Sequence, residues 1–96
     1  MKLTELAVTA QEEQNIILSN GYSAALRFDM VYKRWFYDLY LNDVLVYAGV
    51  ALTPDTAPLH NISPVSLGIV DFSEDKSEYE PYSELGARLA LMEITQ

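Results

Sequence analysis

The stretch YSAALRFDMVYKRWFYDLYLNDVLVYAGVAL, residues 22–52, decides the fold, because apolar and polar residues alternate through most of it. Successive side chains of a β-strand point to opposite faces, so this period of two predicts strands. We predict strands at 22–31, 35–41 and 44–52, a charged turn at Lys33-Arg34 and a tight turn at Asn42-Asp43. Gly49 in the third strand indicates a bulge or a close backbone approach. The three strands are expected to form an antiparallel meander.

The same alternation predicts which side chains face the core. In the first two strands, the inward set is Tyr22, Ala24, Leu26, Phe28, Met30, Trp35, Tyr37, Leu39 and Leu41. Asp29 and Asp38 fall on the outward face, with Arg27 and Arg34 nearby. We therefore expect a charge-balanced surface on the outer side of the meander.

The segments around the meander are less regular. Asn20-Gly21 follows the run EQNIIL (13–18) and predicts a β-hairpin, because both residues tolerate the positive φ of a type I′ turn. Residues 65–72 (VSLGIVDF) predict another strand, and residues 1–12 fit either a short strand or an arm that orders against a partner. Residues 85–94 fit a helix or a strand, and the short length and neighbouring strands favour a strand beginning near Ala87. The Pro-rich residues 53–64 are predicted to form an ordered crossing loop or an excursion that binds a partner, and the acidic residues 73–84 are a predicted loop.

These elements predict one all-β domain over residues 13–96, built as a small antiparallel barrel or sandwich of about five to seven strands. A chain of 96 residues has room for a single core. No apolar run approaches the length of a membrane span, and the start of the chain lacks the pattern of a signal peptide.

Composition excludes several kinds of site. The formal net charge of −8 argues against general nucleic-acid binding and against docking on anionic membranes, since both depend on Lys and Arg. The chain has no cysteine and a single histidine, His60, which excludes thiolate zinc sites, disulfides and histidine-rich metal clusters. We predict no catalytic residue, no bound metal and no cofactor.

Acidic residues offer two candidate sites, and each has a simpler interpretation. The run that contains Asp71, Glu74, Asp75, Glu78, Glu80 and Glu84 offers oxygen ligands for calcium, but it lacks the spacing of a calcium loop and is better explained as a solvated loop or a surface for a basic partner. A paired-carboxylate hydrolase would need two acids that converge in a cleft. Asp29 and Asp38 are the nearest candidates, and their predicted outward positions beside arginines favour a surface role.

Aromatic residues are concentrated between Tyr32 and Tyr47. One alternating set is expected to fill the core, which leaves Phe36 and Tyr40 on the opposite face of the sheet, with Tyr47 as a further candidate. Such a stripe stacks on sugars or buries against protein, and aromatic side chains are enriched at interface centres. The residues predicted to form protein interfaces are Phe36, Tyr40, Tyr47, Pro58, His60, Glu74, Asp75, Glu78, Tyr79 and Tyr82.

The order of these motifs resembles the baseplate plug family of contractile phage tails. The matching segments are YSAALRFDMVYKRWFYDLYLND, VYAGVAL, SLGIVDFSED and PYSELGARLALMEI, and the resemblance covers residues from about 14 to 96. The shared features are a W-[FY]-x-D-[LI]-Y strand, a turn, a G-[VI]-x-L element and a Tyr-x-x-[LF]-G segment before a final apolar strand. The resemblance rests on order, spacing and total length, because none of these motifs carries catalytic specificity.

The resemblance implies a structural role without catalysis. The chain would be a baseplate subunit of the virion, assembled in the host cytoplasm, that joins tail tube, hub and spike near the central axis. It would be one copy in a homo-oligomeric ring, three-fold or six-fold, with no membrane contact and no specific nucleic-acid binding, although DNA would pass nearby. The resemblance transfers no catalytic residue.

Two other function classes remain open. An acidic phage or plasmid protein that mimics DNA and inhibits a nuclease or repressor would explain the charge, although the acids are concentrated in residues 71–84. A glycan-binding β-module would use Phe36, Tyr40 and Tyr47. An enzyme is a more distant alternative.

Overall fold

Seven strands account for the regular secondary structure in the computed structural model, which describes residues 2–9, 11–53, 57–59, 61–71, 85 and 89–96. The strands are β1 (Lys2–Leu6), β2 (Glu13–Ile17), β3 (Tyr22–Asp29), β4 (Arg34–Leu41), β5 (Val44–Leu52), β6 (Val65–Asp71) and β7 (Leu89–Thr95). They form an antiparallel four-stranded sheet, β2-β3-β4-β5, and an antiparallel three-stranded sheet, β1-β7-β6. The all-β prediction is confirmed, and of its two architectures the sandwich is the correct one.

Two tight turns join strands of the four-stranded sheet at the same end. Asn20 and Gly21 have φ values of 58° and 82°, and Asn42 and Asp43 have φ values of 50° and 66°. These left-handed conformations match the twist of a two-residue hairpin turn, and Asn, Asp and Gly adopt them most readily. The Asn42 N–H donates to the Gly21 carbonyl over 2.9 Å, so the two turns support each other. Both predicted turns are confirmed.

The β3–β4 connection differs from the prediction. β3 ends at Asp29, and residues 30–33 form the turn, so Met30 is 69% exposed and does not face the core. The strand ends early because Asp29 Oδ1 accepts hydrogen bonds from the N–H groups of Val31, over 2.8 Å, and Tyr32, over 2.9 Å. An Asp side chain that binds the following backbone forms a turn and ends the strand. The predicted turn at Lys33-Arg34 therefore lies too far along the chain.

β5 pairs with β4 through an irregular register. Tyr37 faces Val50 and Leu39 faces Tyr47, so two residues of β5, Ala48 and Gly49, lie opposite the single residue between Tyr37 and Leu39. Gly49 has a φ of 64°, the left-handed conformation that a bulge of this kind needs. The bulge predicted at Gly49 is confirmed. The register shifts a second time between Leu39, which faces Tyr47, and Tyr40, which faces Leu45.

The three-stranded sheet shows which alternative holds for the two ends of the chain, residues 85–94 and residues 1–12. β7 is a strand and pairs with both β1 and β6, which confirms the strand preferred for the end of the chain. Residues 86–88, where this strand was predicted to begin, lie outside the described residues. Within 1–12, β1 is a strand, paired with β7 from Lys2–Thr95 to Leu6–Leu91.

The core lies between the two sheets. Its largest fully buried side chains include Trp35 and Tyr37 of β4, Leu67 of β6 and Leu91 of β7. Among the described residues, side-chain hydrogen bonds link the two sheets at two places. The Leu67 N–H donates to the Tyr37 hydroxyl over 3.2 Å, and the carboxylate of Glu93 accepts from both the N–H of Ser19, over 2.6 Å, and its hydroxyl, over 3.1 Å. The sheets are therefore held by polar contacts as well as by apolar packing.

Candidate interaction surface

The outer face of the four-stranded sheet carries Phe36 and Tyr40, two of the residues predicted to form protein interfaces. The pairing registers place Ile17, Ser23, Tyr40 and Leu45 in one row across all four strands. A second row contains Glu13, Arg27, Phe36 and Ala51. Between the rows, Ala25 faces Asp38. The small side chains of Ser23 and Ala25 on β3 therefore leave a trough between the larger side chains of β2 and β4.

A polar cluster of Arg27, Asp38 and the backbone of Gly49 lies near the centre of this face. Arg27 Nη1 lies 2.9 Å from Asp38 Oδ2, and the N–H of Gly49 donates to Asp38 Oδ1 over 2.8 Å. Partial burial by itself would raise the pKa of Asp38, but the Gly49 hydrogen bond, the Arg27 hydrogen bond and the Arg27 charge outweigh it. The pKa of Asp38 is therefore held below its usual range. The cluster ties the bulge of β5 to β4 and β3.

Replacing Asp38 with asparagine is expected to lower the free energy of unfolding by about 1 kcal/mol at neutral pH. A carboxylate whose pKa is lowered by folding stabilises the fold above its unfolded-state pKa, and this contribution is lost as pH falls toward the folded-state value. The difference between wild type and Asp38→Asn, measured by urea denaturation, should therefore shrink on acidification. Asp43→Asn is the matched control in an exposed turn, with an expected effect within about 0.5 kcal/mol. A difference for Asp38→Asn that does not change with pH would contradict the assignment.

Two hollows open on the outer face beside this cluster. One, of about 360 Å³, is lined by residues that include Glu13, Asn15, Arg27 and Asp38. The other, of about 380 Å³, is lined by residues that include Ile17, Ser23, Tyr40 and Asp43, and we call it the Tyr40 hollow. It lies at the end of the sheet where the two tight turns meet, and Leu45, which is 49% exposed, faces Tyr40 across the strand pair.

The opposite end of the sheet presents an apolar tip, formed by Met30, Val31 and Tyr32. These side chains are 69%, 85% and 68% exposed. The Asp29 carboxylate orders the tip through its two backbone hydrogen bonds, and the ring of Tyr32 packs edge-on against Phe36, with ring centroids 6.4 Å apart. A group of exposed large apolar side chains often marks a site where another molecule binds, whereas single exposed apolar residues are common on any protein surface.

The predicted interface residues divide into three groups. Phe36 and Tyr40 lie half-buried on the outer face, and Pro58 is exposed, as an interface role requires. The placement of Tyr47 on the outer face is wrong. The register between β4 and β5 also shifts between Leu39 and Tyr40, so Leu45 faces Tyr40 while Tyr47 faces the buried Leu39 and packs partly buried against the core. The remaining predicted residues lie outside the described residues: His60, Glu74, Asp75, Glu78, Tyr79 and Tyr82.

The two carboxylates considered for hydrolysis do not converge. Asp29 faces Arg34 across the β3–β4 pair, whereas Asp38 faces Ala25, four positions along β3 from Asp29. That separation corresponds to about 13 Å of strand. Within the described part of the chain, no group of three acidic or histidine side chains is placed to hold a metal ion, and no helix is long and apolar enough to cross a bilayer.

Sequence reasoning missed the apolar tip, Ile17 and Leu45 as surface features. The alternation of residues 22–31 placed Met30 inside a strand, and the signal against this was Asp29, a residue that often ends a strand by binding the next backbone amides. Ile17 and Leu45 lie on β2 and β5, the edge strands of the four-stranded sheet, so each side chain has a neighbouring strand on one side only. Strand order, which the sequence did not reveal, determines their exposure.

Comparison with known proteins gives no family assignment: the sequence matches no protein-family model, and no curated protein is significantly similar to it.

Proposed function

We propose that this chain is a structural, non-catalytic subunit of a contractile phage tail baseplate, a plug-like protein near the central axis. In this role it joins tail tube, hub and spike within the virion, in an assembly built in the host cytoplasm. The observation that carries the proposal is the order of its motifs. The W-F-Y-D-L-Y motif lies in β4, the G-V-A-L element ends β5, and the S-L-G-I-V-D segment lies in β6, each on an element of one small β-domain.

The exposed surface supports an assembly role. Among the described residues, large apolar side chains are exposed in groups at the apolar tip and at residues 44–46 on the edge strand β5. Soluble monomers rarely group such side chains at several sites, whereas subunits of an assembly bury them against neighbours. The edge strand β5 also offers backbone groups for pairing with another protein.

The test is reconstitution with the proteins encoded on either side of this one. The chain, co-expressed with tube, hub or spike proteins, is expected to form a complex of fixed stoichiometry that survives size-exclusion chromatography and native mass spectrometry. An unrelated acidic β-protein of similar size is the control for binding by charge alone. Particles produced without the chain are expected to show incomplete baseplates by electron microscopy. Normal particles in its absence, together with no complex, would contradict the proposal.

Glycan binding is the second candidate function, and the Tyr40 hollow is the observation in its favour. An aromatic ring beside Asn15, Ser23 and Asp43 offers a stacking surface together with hydrogen-bonding groups. Tyr40→Ala is expected to abolish glycan binding, whereas Tyr32→Ala, on the exposed tip, is the control. Titration calorimetry against a panel of glycans decides between the functions, because a baseplate subunit should give no heat of binding.

A further inference from the structure

The turn between β2 and β3 places a reactive dipeptide, Asn20-Gly21, at the surface of the protein. Both residues are exposed, with φ values of 58° and 82°. The side-chain amide of an asparagine can react with the backbone nitrogen of the next residue, and glycine, which has no Cβ, leaves that nitrogen the most accessible. Among the described residues, none accepts a hydrogen bond from the Gly21 N–H. The Gly21 nitrogen is therefore open to solvent and to the Asn20 side chain.

The fold itself requires this dipeptide. A two-residue hairpin turn needs positive φ at both central residues, which Asn and Gly adopt most readily. Gly21 has a second constraint, because a Cβ added there would lie 2.5 Å from Asn42 Oδ1. The Gly21 carbonyl also accepts the Asn42 N–H over 2.9 Å. The neighbouring turn therefore excludes a bulkier residue that would shield the Asn20 amide from reaction.

The other three asparagines of the chain lack this combination. Asn15 and Asn61 are each followed by isoleucine, whose branched Cβ crowds the backbone nitrogen. Asn42 lies in an equivalent exposed turn, but it is followed by Asp43, whose negative charge opposes removal of the proton from its own backbone nitrogen. The reaction should therefore be confined to Asn20.

We propose that Asn20 is a site of spontaneous deamidation, with water as the co-reactant. The Gly21 nitrogen gives its proton to solvent base and attacks Asn20 Cγ. The new N–C bond closes a cyclic imide, the bond from Cγ to the side-chain nitrogen breaks, and that nitrogen takes up a proton and leaves as ammonia. Water then opens the ring at either carbonyl. Opening at the side-chain carbonyl gives aspartate, whereas opening at the backbone carbonyl gives isoaspartate, in which the main chain gains a methylene.

The isoaspartyl product is expected to loosen the link between the two sheets. The residue before Asn20 is Ser19, which donates to the Glu93 carboxylate from its N–H over 2.6 Å and from its hydroxyl over 3.1 Å. The Ser19 carbonyl accepts the Tyr22 N–H over 3.1 Å across the turn. A longer main chain between Ser19 and Tyr22 cannot keep this geometry. Aspartate at position 20 adds the same charge but leaves the length of the main chain unchanged.

The test follows position 20 in the folded protein over time at mildly alkaline pH. Peptide mapping with electron-transfer fragmentation distinguishes asparagine, aspartate and isoaspartate, and one tryptic peptide, residues 3–27, contains both Asn15 and Asn20. Wild type is expected to gain isoaspartate at position 20, and more slowly at acidic pH, because the backbone nitrogen must lose its proton. Asn20→Gly, which suits the same turn, should show no such product. Asn42→Gly, in the second turn, is the matched control and should react like wild type.

Urea denaturation of the separated products tests the structural consequence. Ion exchange isolates the more acidic products, and Asn20→Asp supplies a pure aspartate reference. The isoaspartyl form is expected to unfold at a lower urea concentration than Asn20→Asp. The proposal is overturned if Asn20 stays intact for as long as the same chain in urea takes to convert, or if Asn15 or Asn42 converts as fast. Equal stability of the isoaspartyl form and Asn20→Asp also overturns it. No tail protein takes part, so the outcome is independent of the proposed baseplate role.

Discussion

Glu93→Ala is expected to lower the free energy of unfolding by about 3 kcal/mol, a large share of the stability of a small domain. Glu93 of the three-stranded sheet is only 6% exposed. Its carboxylate accepts two hydrogen bonds from Ser19, which lies in the connection between β2 and β3 of the four-stranded sheet. Alanine removes both acceptors and leaves the Ser19 N–H without its partner. Urea denaturation followed by tryptophan fluorescence of the buried Trp35 measures the loss.

Three further variants isolate the cause. Ser19→Ala removes the hydroxyl bond and keeps the N–H bond, so its cost is expected to be about 1 kcal/mol. Glu93→Gln keeps an oxygen acceptor in the same place and should cost less than Glu93→Ala. Glu5→Ala, on the exposed β1 strand of the same sheet, should change stability by no more than about 0.5 kcal/mol. Equal effects for Glu93→Ala and Glu5→Ala would show that the link between the sheets contributes nothing.

Tyr37→Ala is expected to cost about 4 kcal/mol, and Tyr37→Phe about 1–3 kcal/mol. The Tyr37 side chain is fully buried, so alanine leaves a cavity in the centre of the core. Phenylalanine keeps the ring but leaves the buried Leu67 N–H without the hydroxyl to which it donates. Tyr32→Ala, at a residue 68% exposed, is the matched control and should change stability by about 0.5 kcal/mol or less.

Alkaline denaturation gives an independent measure of the same side chain. Burial raises the pKa of Tyr37, and the hydrogen bond from Leu67 opposes this effect only in part. Below the unfolded-state pKa of tyrosine the stability is unaffected, and as pH rises above it the unfolded state ionises first and the fold loses stability. Wild type should therefore lose more stability than Tyr37→Phe between neutral and strongly alkaline pH. Parallel losses in the two proteins would contradict the raised pKa.

Strand existence could be predicted from the sequence because it depends on local alternation and turn residues. The Asn20-Gly21 and Asn42-Asp43 turns and the inward set around Trp35 depend only on residues a few positions apart, and the structure confirms them. Tyr47 was misplaced for a different reason. Its face depends on a bulge, and the place where a bulge shifts the register is determined by pairing with β4, which residue alternation within β5 does not encode.

The candidate surface could be predicted only in part. Phe36 and Tyr40 follow from alternation within one strand, so they were found. The Tyr40 hollow combines side chains of β2, β3 and the β4–β5 turn, and the apolar tip depends on how Asp29 binds the backbone that follows it. These features arise from the order of strands and from side-chain geometry, which a one-dimensional pattern does not specify.

The position of β7 between β1 and β6 constrains the order in which the chain folds. The four-stranded sheet joins neighbours in sequence through short connections, so its hairpins can form early and quickly. The other sheet cannot begin until β7 is available, because β1 and β6 both pair with it and not with each other. During synthesis, the meander is therefore expected to form first and to expose one face of the unfinished core until β7 emerges. In that interval the nascent chain is most open to pairing with the wrong strand.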